Sequence, residues 1–539
     1  MGEASPKEGP ALYVRKSSGL LRAISAREAL IANLVGMGII VNIFWVVFAS
    51  AGYPNADLPA TVFIGLGLSL LIAFVYWMLS SAMPRTGGDY VYVSRIFHPG
   101  LGFIVNAMFV GIMVSWAGLF PYFTAAYAFP ILFQNMGMSL HSAYFTGLAG
   151  TLASSSGVDF EIGAIIVTFV IASMLLPVRW VFRILVAMFV IQAIVYAWFI
   201  GALAVTSHQT FVSGVNANFG NGVTYSAITS AAVSKYSASF GITFAATLVG
   251  VVYTMLSYIG YANSAYFAGE LRGDPRKSQG LAIFVAPIIF SVLIYLLYYE
   301  VERVFGHDFL VAASTLAVNG DPLWSVSVVP SPAYLISFIS SNPYFTAAVP
   351  LALILTFIGF AMVYFLIPVR NIFAWSFDRI IPMKFADVSS RGVPWVAVLF
   401  YGAIAYISLY ASIYTKFLSY LTYANLGWWI AVAVVMFAAA ALPFRKRDIY
   451  SSAPSIVRKS IGPLPVLTLV GVIGGLLSLF VSYTTILPSY NSGLEITTSY
   501  VGTIVAIFVI ALVIFVISYA YNRSKGVPLE LLTKELPPE

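Results

Sequence analysis

GITFAATLVGVVYTMLSYIGYANSAYFAGE, residues 241–270, is a hydrophobic stretch long enough to cross a membrane, yet its second half is polar. A bilayer core of about 30 Å requires roughly 20 apolar residues. Residues 241–256 fit this pattern, but the continuation carries Gly260, Asn263 and three tyrosines before the charged run 272–277. Glycine and polar side chains near the middle of a membrane helix indicate a position that faces a cavity or a ligand.

The whole chain has the composition of a polytopic membrane protein. Of its 539 residues, 60% are hydrophobic and 9% are charged, whereas soluble domains carry about 25% charged residues. Twelve stretches are long and apolar enough to span a bilayer. They are predicted at 27–51, 59–83, 100–134, 160–177, 182–205, 241–268, 280–303, 343–373, 394–413, 417–442, 462–487 and 498–521. The sequence therefore predicts one transmembrane domain, 27–521, between polar tails at 1–26 and 522–539.

The distribution of basic residues predicts the orientation of these spans. With the N-terminus inside, 24 Lys and Arg fall on the inner side, and Lys235, Arg303 and Lys416 fall on the outer side. Cytoplasmic loops of membrane proteins carry such an excess of Lys and Arg. We therefore predict a plasma-membrane protein with both termini in the cytoplasm, and the net charge of +7 requires no nucleic-acid partner.

The first span contains a second glycine interruption. LIANLVGMGIIVNIFWVVF, residues 30–48, has glycines 36 and 38 in its middle, flanked by asparagines 33 and 42. Interrupted helices at corresponding positions of two halves indicate the substrate site of a secondary transporter. The N–H groups of a half-helix N-terminus suit a carboxylate, and freed carbonyls suit an ammonium group. Close packing of helices through small residues is the alternative interpretation.

Four blocks of sequence, in order over residues 27–400, resemble the amino acid–polyamine–organocation (APC) permeases. They are VGMGII (35–40), MPRTGGDYVYVSRIFHPGLGF (83–103), YIGYANSAYFAGELRGDPRK (258–277) and RNIFAWSFDRIIPMKFADVSSRGVPWVAV (370–398). The resemblance implies an all-α membrane protein with twelve transmembrane helices. Spans one to five and six to ten would form inverted five-helix repeats, with spans one and six discontinuous and two additional helices at the end.

The resemblance also implies a substrate site between spans one, three, six and eight. The substrate carboxylate would meet the backbone N–H groups of Met37 and Gly38, and span three would contribute residues 115–117. The amino group would meet carbonyls near Leu34, Leu256 and Ile259. The implied substrate-binding residues are Leu34, Val35, Gly36, Met37, Gly38, Leu256, Tyr258, Ile259, Gly260 and Tyr364. For the two tyrosines, a packing role is the alternative.

A second set of residues is expected to gate the path or to couple it to an ion. Many family members have a glutamate where this chain has Ala262, and proton-coupled members often have a lysine in span five, where the strongly polar residue is Gln192. Sodium coupling, proton coupling, and exchange or facilitated diffusion therefore stay open. Glu270 or Asp378 would close an inner gate by pairing with inner-loop Arg or Lys, although topology also explains these charges. The set is Asn33, Tyr253, Gln192, Asn263, Thr356, Glu270 and Asp378.

The predicted function is secondary active transport of amino acids by alternating access. None of the Asp and Glu residues lies at mid-span, which favours a neutral, apolar or aromatic amino acid over a polyamine or another organic cation. A permease or exchanger for such cations is the alternative, and a non-transporting sensor is a further one. Intramembrane enzymes need acidic pairs, metal-binding histidines or a nucleophile with its base, and the predicted spans hold no such set, so we expect no enzyme.

The expected partners are few. They are an amino acid substrate and the lipid bilayer, with no cofactor and no metal beyond a coupling H+ or Na+. The sequence leaves open whether the protein is a monomer or a homodimer.

Overall fold

The predicted all-α membrane fold with twelve spans is confirmed. The computed structural model describes residues 19–220, 222–415, 425–484 and 498–527, together with residues 529 and 536. Numbered in chain order, the spans are Ala26–Gly52, Leu58–Ala82, Pro99–Ser139, Ser156–Met174, Val178–Val205, Phe244–Tyr266, Pro275–Phe305, Pro343–Phe377, Trp395–Tyr414, Gly427–Arg445, Val466–Tyr483 and Gly502–Ser524. Residues 1–18 and most residues after 527 lie outside this range, so the two tails stay a prediction.

Short elements connect the spans. The helices are Asp89–Ile96, Ala143–Ser154, His208–Asn218, Tyr225–Tyr236, His307–Val318, Pro332–Leu335 and Arg447–Ser452, and the 3-10 turns are Ala268–Glu270, Ile336–Phe338 and Met383–Ala386. One small antiparallel pair joins Ser460–Ile461 to Leu464–Pro465. We call the side of the bundle that carries the loops 206–243 and 306–342 the long-loop face, and the opposite side, before span one and after span twelve, the terminal face.

The loop 306–342 contains the helices His307–Val318 and Pro332–Leu335, which lie within the protein and not on its surface. Helix His307–Val318 has Phe309, Val311 and Ala313 fully buried, because it packs beneath the other loop helices. The loop 206–243 contains two further helices, His208–Asn218 and Tyr225–Tyr236.

Span eight and span one form the centre of the bundle. In their most apolar stretches 89% and 83% of residues are buried, against 11% in span twelve. A membrane helix that is buried on all sides contacts protein rather than lipid around its circumference. The centre of the fold is thus the place where the two predicted interruptions and span eight meet. The inverted-repeat relation between the two halves stays a prediction.

A short helix, Asp89–Ile96, lies buried between spans two and three on the terminal face. The Tyr266 hydroxyl donates to the Asp89 carboxylate at 2.7 Å, and the Gly87 N–H donates to the Tyr266 carbonyl at 3.0 Å. Burial raises the pKa of Asp89 to about 6, although the hydroxyls of Tyr266 and Tyr76 act in the opposite direction. This loop is therefore attached to span six through a buried acid.

The raised pKa of Asp89 makes stability depend on pH. Burial favours the neutral carboxyl over the carboxylate. The contribution of protonated Asp89 to the free energy of unfolding is therefore complete below the pKa of an unfolded Asp, about 4. It is lost as pH rises through about 6. We expect the free energy of unfolding to fall by about 3 kcal/mol across this window, measured as a decrease in the thermal midpoint of the purified protein.

The Asp89→Asn variant should lose most of this decrease because its side chain does not titrate. Asp387→Asn, at an exposed position, is the matched control and should keep the native slope. An Asp89→Asn variant with the native slope would show that another group causes the pH dependence.

Candidate functional site

The first span consists of two helices, Ala26–Met37 and Val41–Gly52. Between them Gly38 has φ of +68°, in the left-handed region that favours glycine. A Cβ at Gly38 would also collide with the ring of Phe360. The Asn42 side-chain amide donates to the Gly38 carbonyl at 2.7 Å, and so satisfies one of the backbone groups that the interruption releases.

The sixth span changes geometry where its polar half begins. An α-helix, Phe244–Tyr258, continues as a 3-10 helix, Ile259–Tyr266. The change from α-helix to 3-10 helix therefore comes just before Gly260. The lack of a side chain at Gly260 lets span six approach span one closely, because a Cβ there would overlap the backbone of Gly36 and Met37. The two altered segments touch each other, backbone against backbone, at mid-bundle.

Asn33 joins the first span to the 3-10 helix. Its amide nitrogen donates to the carbonyls of Tyr261 and Ala282, each at 2.6 Å, and its oxygen accepts the Ser264 N–H at 2.8 Å. The Ser264 hydroxyl donates in turn to Gln279 at 2.8 Å. A 3-10 segment leaves backbone groups poorly satisfied, and this fully buried network supplies partners for them.

An aromatic wall from spans three and eight faces the two altered segments. The Tyr364 hydroxyl donates to the Gly36 carbonyl at 2.6 Å. The Tyr364 ring lies 4.7 Å from Trp116, and Phe360 lies 4.8 Å from Phe120 (centroid distances). The shape and polarity of such a surface suit apolar and aromatic groups, and the Tyr364 hydroxyl adds one polar group to it.

Asn263 places an unsatisfied donor at the point where the two segments meet. Its side chain is 1% exposed, and its amide nitrogen makes no hydrogen bond of ordinary geometry among the described residues, although the Tyr364 hydroxyl lies near this side chain. A Cβ at Gly36 would collide with this nitrogen, so the amide lies directly against the glycine. Buried polar groups in native structures are nearly always bonded, which makes this amide a group that a ligand would satisfy.

An aromatic layer covers the site toward the long-loop face. It comprises Phe44, Phe123, Tyr127 and Phe357, with ring centroids 5.2 Å apart for Phe44 and Tyr127 and 5.6 Å apart for Phe44 and Phe357. Beside it, the Tyr253 hydroxyl donates to the Trp45 carbonyl at 2.8 Å. These four rings thus form one contiguous cluster on the long-loop side of the glycines.

A buried ionic layer covers the site toward the terminal face. Arg370 donates to both oxygens of Glu270, at 2.7 and 2.9 Å. Arg95 likewise donates to Asp378, at 2.5 and 3.0 Å, and the Tyr90 hydroxyl donates to the same carboxylate at 2.6 Å. Bidentate pairs of this kind are strong and geometrically specific. Asp378 thus pairs with an arginine of the loop before span three, whereas the arginine that pairs with Glu270 lies in span eight and not in a loop as predicted.

Gln192 and Thr356, both candidates for ion coupling, contact each other between spans five and eight. The Thr356 hydroxyl lies 3.0 Å from the Gln192 side-chain oxygen and 2.8 Å from the carbonyl of Ala352 in its own helix. Gln192 also lines a largely apolar cavity of about 520 Å³ between spans one, five and seven. Its amide nitrogen has no hydrogen-bond partner in the part of the chain that the structure describes.

Tyr258 is not brought together with the glycines. Its hydroxyl lies 3.0 Å from the Val62 carbonyl and 2.5 Å from the Ser291 hydroxyl, and its ring packs against Gly65 and Phe290. It therefore packs span six against spans two and seven, a role that the sequence left as the alternative.

The remaining predicted residues divide between the site and its surroundings. The Leu34 carbonyl already accepts the Gly38 N–H at 2.9 Å, and Leu34 lines the cavity beside span five. Val35 lies under Gly359 of span eight. Ile259 is buried and Leu256 is half-buried, both at the start of the altered segment of span six.

Sequence reasoning missed the residues that complete the site. Phe120 and Phe360 form its wall, and Arg95 and Tyr90 hold Asp378. Apolar rings in membrane helices give no signal that separates a binding wall from packing. For Arg95 a signal existed, because a basic residue inside the apolar run 90–97 needs an acidic partner if it is buried.

A comparison with curated proteins finds one relative to report. The chain is 31% identical over 83 residues to an uncharacterized protein of Sulfolobus islandicus rod-shaped virus 1. The match covers 15% of this chain and spans about a fifth (21%) of the length of that relative. The printed name of the relative gives no activity, so this similarity carries no functional argument.

A comparison with protein families is more informative. A family described as amino acid permease matches residues 25–513, which include all four blocks of resemblance, the two interrupted spans and the wall of span eight. A permease is a membrane transport protein, so the description of the family indicates transport. With twelve apolar spans in the structure, the chain belongs to the amino acid permease family of the APC superfamily.

Proposed function

We propose that this permease moves neutral, apolar or aromatic amino acids across the plasma membrane by alternating access. The observation that carries the proposal is the contact between the interrupted spans at Gly36 and Gly260, facing the aromatic wall. Glu270 and Asp378, the two acids of the ionic layer, are both paired with arginines, and Asp89, a further buried acid beside span six, accepts from the Tyr266 hydroxyl. The altered segments 36–40 and 259–266 and the aromatic wall carry no acidic residue of their own, so a cationic side chain on the substrate would find no carboxylate in them.

The substrate backbone would bind between the half-helices. The ammonium group would replace the Tyr364 hydroxyl at the Gly36 carbonyl. The carboxylate would bind near the first turn of the helix Val41–Gly52, where N–H groups lack intrahelical partners and the helix dipole favours an anion. The Gly38 N–H already donates to Leu34, so its use by a carboxylate requires this bond to open.

The aromatic layer and the buried ionic layer would act as the two gates. The excess of 24 basic residues on the terminal side against three on the other supports a cytoplasmic terminal face. The ionic layer is then the inner gate. Sodium coupling, proton coupling and ion-independent exchange remain the alternatives for energisation, and Gln192 with Thr356 marks the place where a coupling ion would act.

Counterflow tests the proposed substrate class. Purified protein in liposomes preloaded with the twenty amino acids, without an ion gradient, should take up labelled amino acid in a saturable manner. Apolar and aromatic amino acids should compete, whereas basic and acidic ones and polyamines should not. Imposed sodium and proton gradients then separate the modes of coupling. Competition by polyamines alone would replace this proposal by transport of organic cations.

Replacing Tyr364 by phenylalanine should strengthen substrate binding. In the free variant the Gly36 carbonyl has lost the hydroxyl that donates to it, and the substrate ammonium then restores a partner without displacing one. A buried group left unpaired costs about 1–3 kcal/mol, so we expect the half-saturating concentration to fall about tenfold.

The matched control is Tyr258→Phe, which also removes one buried tyrosine hydroxyl but lies between spans two and seven. It should lower the thermal midpoint and leave the half-saturating concentration unchanged. Equal transport effects of the two variants would argue against a site at Gly36.

Breaking the Asp378 ion pair should open the inner gate without loss of the fold. The chain has no cysteine, so an Ala374→Cys background, buried one turn before Asp378, reports access from the terminal face. Asp378→Ala leaves Arg95 unpaired, and a buried unpaired charge recruits water. We expect faster maleimide labelling and slower counterflow.

Asp387→Asn, at an exposed position on the same face, is the control and should change neither the rate of maleimide labelling nor the rate of counterflow. If Asp378→Ala gives no folded protein, Asp378→Asn keeps the side-chain volume and should behave likewise. Native labelling and native transport at equal amounts of folded protein would remove the gate from the proposal.

A further inference from the structure

A small polar cavity lies near the long-loop face, separate from the site between spans one and six. Its volume is about 110 Å³, and its walls come from span three, the beginning of span four, helix Ala143–Ser154 and loop residues 327–329. Tyr122, Tyr127, Asp159 and Ser327 are its polar lining residues. Its position places it on the proposed outer side of the aromatic layer.

Asp159 gives this cavity an unsatisfied negative group. The residue is 6% exposed, and its Oδ1 has no hydrogen-bond partner among the described residues, which also supply no ion pair for it. It lies in the first turn of span four, whose N-terminal dipole stabilises a carboxylate. The dipole accounts for the acid at this position but not for the oxygen without a partner.

The opposite wall presents two tyrosines on an unusual helical segment. Span three contains a π-helix, Thr124–Ala128, and such segments occur frequently at functional sites. Tyr127 lies in this segment and Tyr122 lies two residues before it, with their ring centroids 6.2 Å apart. Tyr127 also contacts Phe44 in the aromatic layer, at 5.2 Å. The cavity and the outer closure of the transport path therefore share a side chain.

We propose that this cavity binds a primary ammonium group, held by the Asp159 carboxylate and by the aromatic rings of Tyr122 and Tyr127. An ammonium donates to the unpartnered oxygen, and aromatic faces attract cations. A volume of 110 Å³ holds on the order of three or four waters, which is enough for an ammonium group with a short carbon stem.

The ammonium group has two sources: the amino end of a transported amino acid on its way to the central site, or a separate small amine. The choice between them rests on the proposed function. The existence of the ammonium site does not depend on the proposed function, and binding experiments test it without any measurement of transport.

Ethylammonium, a primary amine without a carboxylate, is the probe. Its chloride should raise the thermal midpoint of the full-length protein in detergent, beyond the effect of sodium chloride at equal ionic strength. Asp159→Asn should weaken the apparent affinity for ethylammonium about tenfold or more, since the charge-assisted contact is lost. Glu161→Gln removes the same charge from an exposed position two residues away and should retain the native response.

Ala126→Leu tests the cavity itself, because it adds apolar volume to the wall and keeps the carboxylate. It should also abolish the response, and it replaces Asp159→Asn as the test if that variant does not fold. An equal response in native protein, Asp159→Asn and Ala126→Leu would overturn the proposal. So would a native response no larger than that of sodium chloride.

Counterflow then identifies the source of the ammonium group. A raised half-saturating concentration in Asp159→Asn, with an unchanged maximal rate, supports capture of the substrate before it reaches the centre. Loss of ethylammonium binding with native counterflow supports a site for a separate amine. Loss of counterflow in the native protein would contradict the proposed function but leave the ethylammonium result, and hence the site, intact.

Discussion

A backbone amide or carbonyl inside a bilayer needs a hydrogen-bond partner, because hydrocarbon supplies none and each unpaired group costs several kcal/mol. The centre of this permease depends on that constraint. Span one is interrupted at Gly38 and span six turns to 3-10 geometry at Ile259. Asn33, Asn42 and Tyr364 all donate to the carbonyls around these positions. The polar residues of the core are therefore the partners of irregular backbone.

The same constraint explains how the carbonyls of the site can be hydrogen-bonded in the structure and still be able to bind a substrate. Side-chain donors occupy the carbonyls in the structure, and a substrate ammonium would exchange with the Tyr364 hydroxyl instead of meeting a bare carbonyl. The exchange keeps the number of hydrogen bonds nearly constant. The Asn263 amide is different, because it makes no hydrogen bond of ordinary geometry among the described residues, and binding there would add a bond instead of replacing one.

The twelve spans could be predicted from the sequence because hydrophobic length is a property of each segment alone. The two glycine clusters could be located for a similar reason, since Gly36, Gly38 and Gly260 stand out in apolar runs. The partner of each tyrosine could not be predicted: Tyr258 and Tyr364 both lie in apolar helices, and only the tertiary contacts put one beside Gly65 and the other beside Gly36. The pairing of Arg95 with Asp378 joins residues 283 apart in the chain, so no local pattern could specify it.

Span eight links all levels of the site in one continuous helix, Pro343–Phe377. Phe357 belongs to the aromatic layer, Tyr364 contacts the interrupted segment, and Arg370 belongs to the ionic layer. At 1.5 Å per residue this helix is about 52 Å long. Tilting such a rod by about 5° about its midpoint moves its two ends by about 2 Å in opposite directions. A small tilt of this one helix can thus loosen the packing at one face of the bundle while it tightens the packing at the other.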